Sequence, residues 1–355
     1  MTKRAPAGEG SLTDGQFVRR TFLVGLVAGL FAVLWAISEI LLLIFAAVLL
    51  AVALRAMAER LSSHTHASQR WSLLIAGAVL FGLLVVAVFL FGSHLSAQFQ
   101  GLVTQLQAVQ DTLTGYLGGE PIRNLLGTGS VGPLFVRVLS WGTTAMTAVA
   151  GLVLVIIAGI YMAISPAVYR EGFIKLFPIE WHDRIGTTLD DSASALRLWL
   201  GAQMAAMAIV GVLIAVGALL LGIPSPLALG LIFGLSEFVP VVGPIVGAVP
   251  VLIVALGEGW ELALWALALV IVIQQLESNV VIPLIAGHAV RLPPAVGLFA
   301  VIAMGVLFGP LGLVVGYPLA VVCDVAVRRL YVRETLGEDV EIVAETSRAG
   351  QTIHN

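Results

Sequence analysis

Apolar residues gather into long runs at about 22–37, 40–53, 71–92, 143–164, 200–221, 227–256, 260–282 and 295–324, with more polar segments of varied length between them. Near-continuous runs of this length predict helices that are apolar all round, the pattern of membrane spans. The runs 227–256 and 295–324 are each 30 residues long. At about 1.5 Å of rise per residue an unbroken helix of that length would reach about 45 Å, well past a hydrocarbon core of about 30 Å. Each carries a Gly-Pro pair near its middle, Gly243-Pro244 and Gly309-Pro310. Each is therefore predicted to be two half-helices meeting at that pair, the kind of broken helix that builds binding sites in membrane transporters.

The polar segments complete the predicted organisation. A cytoplasmic tail, 1–20, precedes three membrane helices over 21–92, the first two forming a hairpin that turns at Glu39. An extracytoplasmic insert follows over 93–142, where Leu95, Phe99, Leu102, Leu106, Val109 and Leu113 recur at three- and four-residue steps and predict an amphipathic helix. It either caps the bundle or joins neighbouring protomers. A fourth membrane helix, 143–164, leads into cytoplasmic interfacial helices, 165–199, where Tyr169, Phe173, Leu176 and Phe177 lie beside Arg170, Lys175 and Arg184. The core, 200–324, holds the two broken stretches, and a cytoplasmic tail, 325–355, ends the chain.

Composition and charge fit this picture: 59% of residues are hydrophobic and 11% charged, against about a quarter charged in soluble domains. Positive charge stays on the cytoplasmic side. With both termini inside, only Arg123 and Arg137 fall outside, provided that the broken stretches are re-entrant hairpins; a single crossing by each would move Arg291 outside too. The fold class expected is an all-α polytopic integral membrane bundle of about eight hydrophobic segments, the sixth and eighth re-entrant. Aligned at an offset of about 66 residues, the two broken stretches superpose their Gly-Pro pairs and suggest an inverted repeat whose tips meet near the midplane.

Four acidic residues sit in or beside apolar sequence. Glu39, at a predicted turn, and Asp324, at a predicted helix end, read as interfacial charges. Glu237 lies just before the first break, where a buried carboxylate costs several kcal/mol without a partner. Gln274, Gln275, Glu277, Ser278 and Asn279 crowd the end of the seventh run, and Gln274, Glu277 and Ser278 can share a helix face. They can satisfy backbone groups at a hairpin tip or line a solute path. The candidate path is Glu237, Pro240, Gly243, Pro244, Gln274, Gln275, Glu277, Asn279, Gly309 and Pro310, with the solute between the two tips.

Enzyme and cofactor motifs are missing: no Walker loop, no Gly-x-Ser-x-Gly, and only His64 and His66 alternating in a polar loop as a weak metal signal. The single cysteine, Cys323, excludes an intrachain disulfide and a cysteine metal cluster, and reads as a small buried hydrophobe. A net charge of −3 offers nothing for nucleic acid. No enzyme, no cofactor and no metal are expected.

Four segments carry a family resemblance: Leu196-Arg-Leu-Trp-Leu-Gly-Ala-Gln203; Phe238-Val-Pro-Val-Val-Gly-Pro-Ile-Val-Gly-Ala-Val-Pro250; Gln275-Leu-Glu-Ser-Asn-Val-Val-Ile-Pro283 with Gly287-His-Ala-Val-Arg-Leu-Pro-Pro294; and Gly309-Pro-Leu-Gly312. In order and spacing they resemble the autoinducer-2 exporter-like family of bacterial membrane transporters. The first 140 residues resemble it in hydropathy alone. The resemblance implies secondary transport in the bacterial plasma (inner) membrane, by a homo-oligomer and specifically a homopentamer. The solute would be small, autoinducer-2 or another, and a proton or sodium would be the coupling ion. Where members often carry an aromatic after the first hairpin proline, this chain has Val241. A passive channel, a cation/proton antiporter and a membrane scaffold are the alternative functions.

Overall fold

The computed structural model describes residues 14–65, 71–75, 77, 78, 82, 151–285 and 292–337. The predicted insert at 93–142, His66, His288, Arg291, and the chain before 14 and after 337 lie outside the described residues. Those described form helices and their connections, with no strand among them. In order they are α1 (Asp14–Ala36), α2 (Ser38–Thr65), α3 (Gly151–Ile164), α4 (Pro166–Ile174), a 3-10 turn (Ile179–Trp181), α5 (His182–Leu220), α6 (Pro226–Ser236), α7 (Val242–Glu258), α8 (Trp260–Leu276), a π-helical segment (Glu277–Val281), α9 (Ile282–Ile285), α10 (Pro294–Ala326) and a π-helical end (Val327–Arg333). By length and apolar composition alone, four helical stretches among the described residues, or five with the bent α3–α4 pair, could cross a bilayer, with α10 and its π-helical end counted as one stretch. The chain is a multi-pass helical membrane protein, and the described residues bear out that class without reaching the count of eight.

The hairpin predicted to turn at Glu39 is not formed. One residue, Ile37, separates α1 from α2; its amide donates to the Val33 carbonyl at 3.1 Å and its carbonyl accepts from the Leu41 amide at 3.0 Å. Helical bonds on both sides of one residue let the chain bend but not reverse, since a helical hairpin needs a linker of about 2–5 residues. Neither Gly nor Pro is there to force a turn. Ser38 Oγ donates instead to the Trp35 carbonyl at 2.6 Å, and Glu39 sits in the first turn of α2, where free amides favour an acid.

At Ser165 the chain turns by 92° from α3 into α4, with Pro166 starting the new helix. This perpendicular piece leaves Val168, Tyr169, Phe173, Leu176, Ile179 and Trp181 exposed beside Lys175, as an interfacial connector should. Arg170 binds it to Asp190 of α5 at 2.7 Å, and the start of α5 in turn pairs with its neighbours through Arg184–Glu334 at 3.1 Å, Arg197–Glu59 at 2.8 Å and the buried Asp191 with Arg329. The Asp190 hydrogen bonds raise the Arg170 guanidinium above its ordinary value. One end of the bundle therefore gathers α4, the start of α5, the end of α2 and the π-helical end. Asp324 pairs with Arg328 at 2.8 Å inside a helix that continues to Arg333 rather than ending there.

α5 is 39 residues long, about 58 Å at helical rise, and organises the rest. Its Val210, Ile214 and Ala218 pack with Phe233 of α6, Val251 and Val254 of α7, and Val270 and Ile273 of α8. Its Leu196, Trp199 and Leu200 pack with Leu49 of α2 and Val321 and Val325 of α10. Contact with α6 is backbone-close: a Cβ on Gly211 would lie 2.9 Å from the Gly230 carbonyl oxygen, and one on Gly234 would lie 2.6 Å from that of Met207. Small residues permit this approach, which membrane helices use in place of a hydrophobic driving force.

Both over-long stretches fold back on themselves. On α7, Gly247 lies against Phe233 of α6, where an added Cβ would come within 3.1 Å of Phe233 Cα, and Gly243 lies against the Ser236 carbonyl. α10 is folded in two at Gly309, whose φ of 63° and ψ of −144° break the helix. Its returning arm then sets Gly312 against the Met304 carbonyl and Gly316 against Val301, 3.0 Å from an added Cβ to Val301 Cα. The second break is thus where the Gly-Pro pair predicts it, but the first is not. There the turn spans Glu237–Val241, and Gly243-Pro244 falls in the first turn of α7, where proline's missing N–H has no bond to lose. Equivalent glycines on the returning arms relate the hairpins at an offset of 69 residues, 243 to 312 and 247 to 316, instead of 66. Cys323, expected to be buried, is exposed on the face of α10.

Candidate functional site

The α6–α7 turn has to find partners for backbone groups that a bilayer cannot satisfy. It does so almost within itself. The Phe233 carbonyl accepts from the Glu237 amide at 3.1 Å, that of Leu235 from Phe238 at 3.2 Å, that of Ser236 from Val239 at 3.2 Å, and that of Val239 from Gly243 at 2.7 Å. Ser236 Oγ donates to the Ile232 carbonyl at 2.8 Å. The Glu237 carbonyl is met from outside, by Gln203 Nε2 of α5 at 2.5 Å. Val241 closes the turn with φ 71° and ψ −47°, and the Val242 amide donates back to the Pro240 carbonyl at 2.9 Å. This is a γ-turn of the rare, strained hand on a β-branched residue, a feature that persists only where the surroundings impose it and that clusters at functional sites.

The turn presents Glu237, 2% exposed, toward the end of α8. Gln274 Nε2 donates to Glu237 Oε1 at 3.1 Å and to Glu277 Oε2 at 3.0 Å, so one amide nitrogen joins two carboxyl groups, the second 8% exposed. Glu277 opens the π-helical segment, and such bulges re-aim side chains at functional sites. Neither carboxyl takes part in the described ion pairs. Two buried carboxylates cost several kcal/mol each unless a proton or a cation meets them. Carboxylate and amide oxygens suit a hard monovalent cation or a proton, and among the described residues no group of three or more His, Cys, Asp or Glu gathers for a metal ion.

The polar cluster at the end of the seventh run divides in two. Gln274 and Glu277 face Glu237. Gln275 and Asn279 are exposed and bond each other, Asn279 Nδ2 donating to the Gln275 carbonyl at 2.8 Å and to its Oε1 at 3.2 Å. Ser278 is exposed as well, off the shared face expected of it. Pro240, Gly243 and Pro244 belong to the turn and to the helix start behind it. Gly309 and Pro310 form a separate turn: Phe308 before it lies 6.0 Å from Trp35 of α1, and α5 packs between the two hairpins. Gln203 and Trp199 lie outside the candidate path expected from the sequence, although both stand in the Leu196–Gln203 segment that carries the family resemblance. A lone glutamine inside an apolar run was a further signal for Gln203, the same signal that marks Glu237.

A family model described as AI-2E family transporter matches residues 23–331. "Putative transport protein YrrI" of Bacillus subtilis is 32% identical over 165 residues, 46% of this chain and 47% of its own length. "Putative transport protein MT0215" of Mycobacterium tuberculosis is 27% identical over 331 residues, 87% of this chain and 88% of its own. "Putative transport protein YhhT" of Escherichia coli K12 is 29% identical over 116 residues, covering 32% of this chain and 33% of that protein. The chain thus spans about half or less of the Bacillus and Escherichia relatives and most of the mycobacterial one.

Proposed function

The chain belongs to the AI-2E transporter family, a family of transporters and not of enzymes, and we propose that it is a secondary transporter that moves a small polar solute in exchange for a proton or a sodium ion. Glu237 and Glu277 bind the coupling ion, and Gln274 holds the two carboxyl groups to one position. Pro240, Gly243 and Pro244 shape the turn that carries Glu237, while Gly309 and Pro310 shape the second hairpin. Autoinducer-2 is one candidate solute; Gln275 and Asn279, exposed near the same helix end, are candidates for contact with it. The hairpins are re-entrant and form an inverted repeat, a reading supported by their matching glycines. The bundle end where α2 and the C-terminal helical segment finish faces the cytoplasm of a bacterium, a reading supported by the basic residues gathered there. The protein works as a homo-oligomer, which α1, exposed along its described length, is free to help assemble.

The observation that carries the proposal is the Gln274 amide bonded to two buried carboxyl groups at a strained hairpin turn. Cation/proton exchange with no other solute is the second reading, favoured because two carboxyl groups on one amide suffice for it. The test is flux in proteoliposomes under imposed proton and sodium gradients. Glu237→Gln and Glu277→Gln are each expected to cut ion-driven flux at least tenfold. Flux unchanged in both variants removes the pair from coupling, and proton movement driven by sodium without any solute selects the second reading. Flux that does not saturate makes the protein a channel.

A further inference from the structure

Glu237 has a second connection, which leaves the site in the opposite direction from Gln274. Gln203, which meets its carbonyl, stands one helical turn beyond Trp199 on α5, so both side chains face the same side. Trp199 is 6% exposed, and its ring lies 5.8 Å from that of Phe238, the next residue of the turn, at 72° between planes. On its other side the same ring lies 5.5 Å from Tyr317 at 22°, a stacked pair. Tyr317 belongs to the returning arm of the second hairpin. It rests against Gly297 of the outgoing arm, where a Cβ would fall 2.5 Å from the ring. An unbroken line of contact therefore runs from the first turn, through one tryptophan, to both arms of the second hairpin.

Among the described residues α5 packs between the hairpins, and this aromatic line crosses it. Close-packed aromatic contacts resist continuous deformation and shift between discrete arrangements. A change at Glu237 that moves the turn must move Phe238 and the Glu237 carbonyl, and with them Trp199 and Tyr317. We propose that Trp199 is a positioning residue that couples the two hairpins, so that loading or unloading of Glu237 in the first hairpin changes the exposure of the second. Gln203 keeps the turn in register with Trp199 by holding the carbonyl one turn along α5. The inference rests on the reading of Glu237 as the residue that responds to the coupling ion.

Val306, 81% exposed on the outgoing arm near Gly309, provides the reporter. In full-length protein carrying Cys323→Ala and Val306→Cys, reconstituted in liposomes, the rate of maleimide labelling is compared with and without Glu237→Gln, which replaces the carboxyl group by a permanently neutral amide. Glu237→Gln is expected to change the labelling rate at least threefold. Adding Trp199→Leu is expected to abolish the difference, and Trp199→Phe to retain most of it. Tyr317→Leu breaks the line from the other side and must also abolish the difference, which separates coupling from a folding defect of one variant. No response to Glu237→Gln, or a response that survives either Trp199→Leu or Tyr317→Leu, overturns the proposal. Ion-driven flux of the same proteins separates the two readings. Flux lost in Glu237→Gln without a labelling change leaves the transport role standing and removes the coupling; a Trp199-dependent labelling change with flux intact does the reverse.

Discussion

The two hairpins are matched in their arms and opposed in their turns. Each returning arm sets two glycines four residues apart against the outgoing arm, Gly243 and Gly247 in the first, Gly312 and Gly316 in the second. Their turns are made by different means. Gly309 reverses the second hairpin alone, in a region of backbone space that glycine essentially owns, and Pro310 starts the return helix. The first takes five residues, ends on a strained valine, and is held by side chains from α5 and α8. A turn specified by its own residues needs no outside support and serves as a fixed corner. A turn held from outside depends on whatever its holders bind, and one holder of this turn, Gln274, binds two carboxyl groups, that of Glu237 and that of Glu277.

The shared part of the comparison breaks most severely. A Cβ on Gly312 collides with the Met304 carbonyl, and one on Gly243 with the Ser236 carbonyl, backbone that cannot swing aside. Gly312→Val and Gly243→Val are each expected to cost about 3 kcal/mol or more, the upper range for overpacking. Thermal unfolding of the purified protein reads this as a large fall in Tm, or as no folded protein at all. Collapse of only one of the two would mean that the arms are not built alike.

The polar support is special to the first hairpin and gives the next effect in size. Gln274→Leu leaves both carboxyl groups without their common donor, and loss of a hydrogen bond to a charged group is worth about 1.5–3 kcal/mol. Adding Glu277→Gln to Gln274→Leu returns an amide to the cluster and is expected to recover part of the loss, since groups in one network are not additive. An unchanged Tm in Gln274→Leu would show that the first turn stands without its clasp, like the second.

These differences explain what could be read from the chain. The hairpins were legible because apolar length and Gly-Pro pairs are local quantities, and Glu237, Gln274 and Glu277 were legible because charge and amide are scarce in apolar runs. The position of the first turn was not, because Pro244 reads the same whether it breaks a helix or begins one. The Gln203 bond and the Trp199 stack depend on how α5 crosses both hairpins, a tertiary fact that no spacing along the chain encodes. The link at Ile37 reads as a reversal from the sequence because a charged residue between two apolar runs suggests a loop, although Ser38 and Glu39 are also good residues for a helix start.

The smallest effects separate the turns most sharply, because their signs differ. Gly309→Ala forces a Cβ into φ 63°, ψ −144° and is expected to lose about 1–3 kcal/mol, with no neighbour available to relieve it. Val241→Gly removes the strain of φ 71° on a β-branched residue, about 1–3 kcal/mol, and against this glycine's extra freedom in the unfolded chain costs about 0.5–1 kcal/mol. The net is a gain of about 1 kcal/mol, seen as a small rise in Tm. If strain at Val241 serves the turn's motion, flux should fall as stability rises. A Val241→Gly protein that loses stability instead would mean that valine's packing outweighs its strain, and that the first turn is fixed by its own side chains after all.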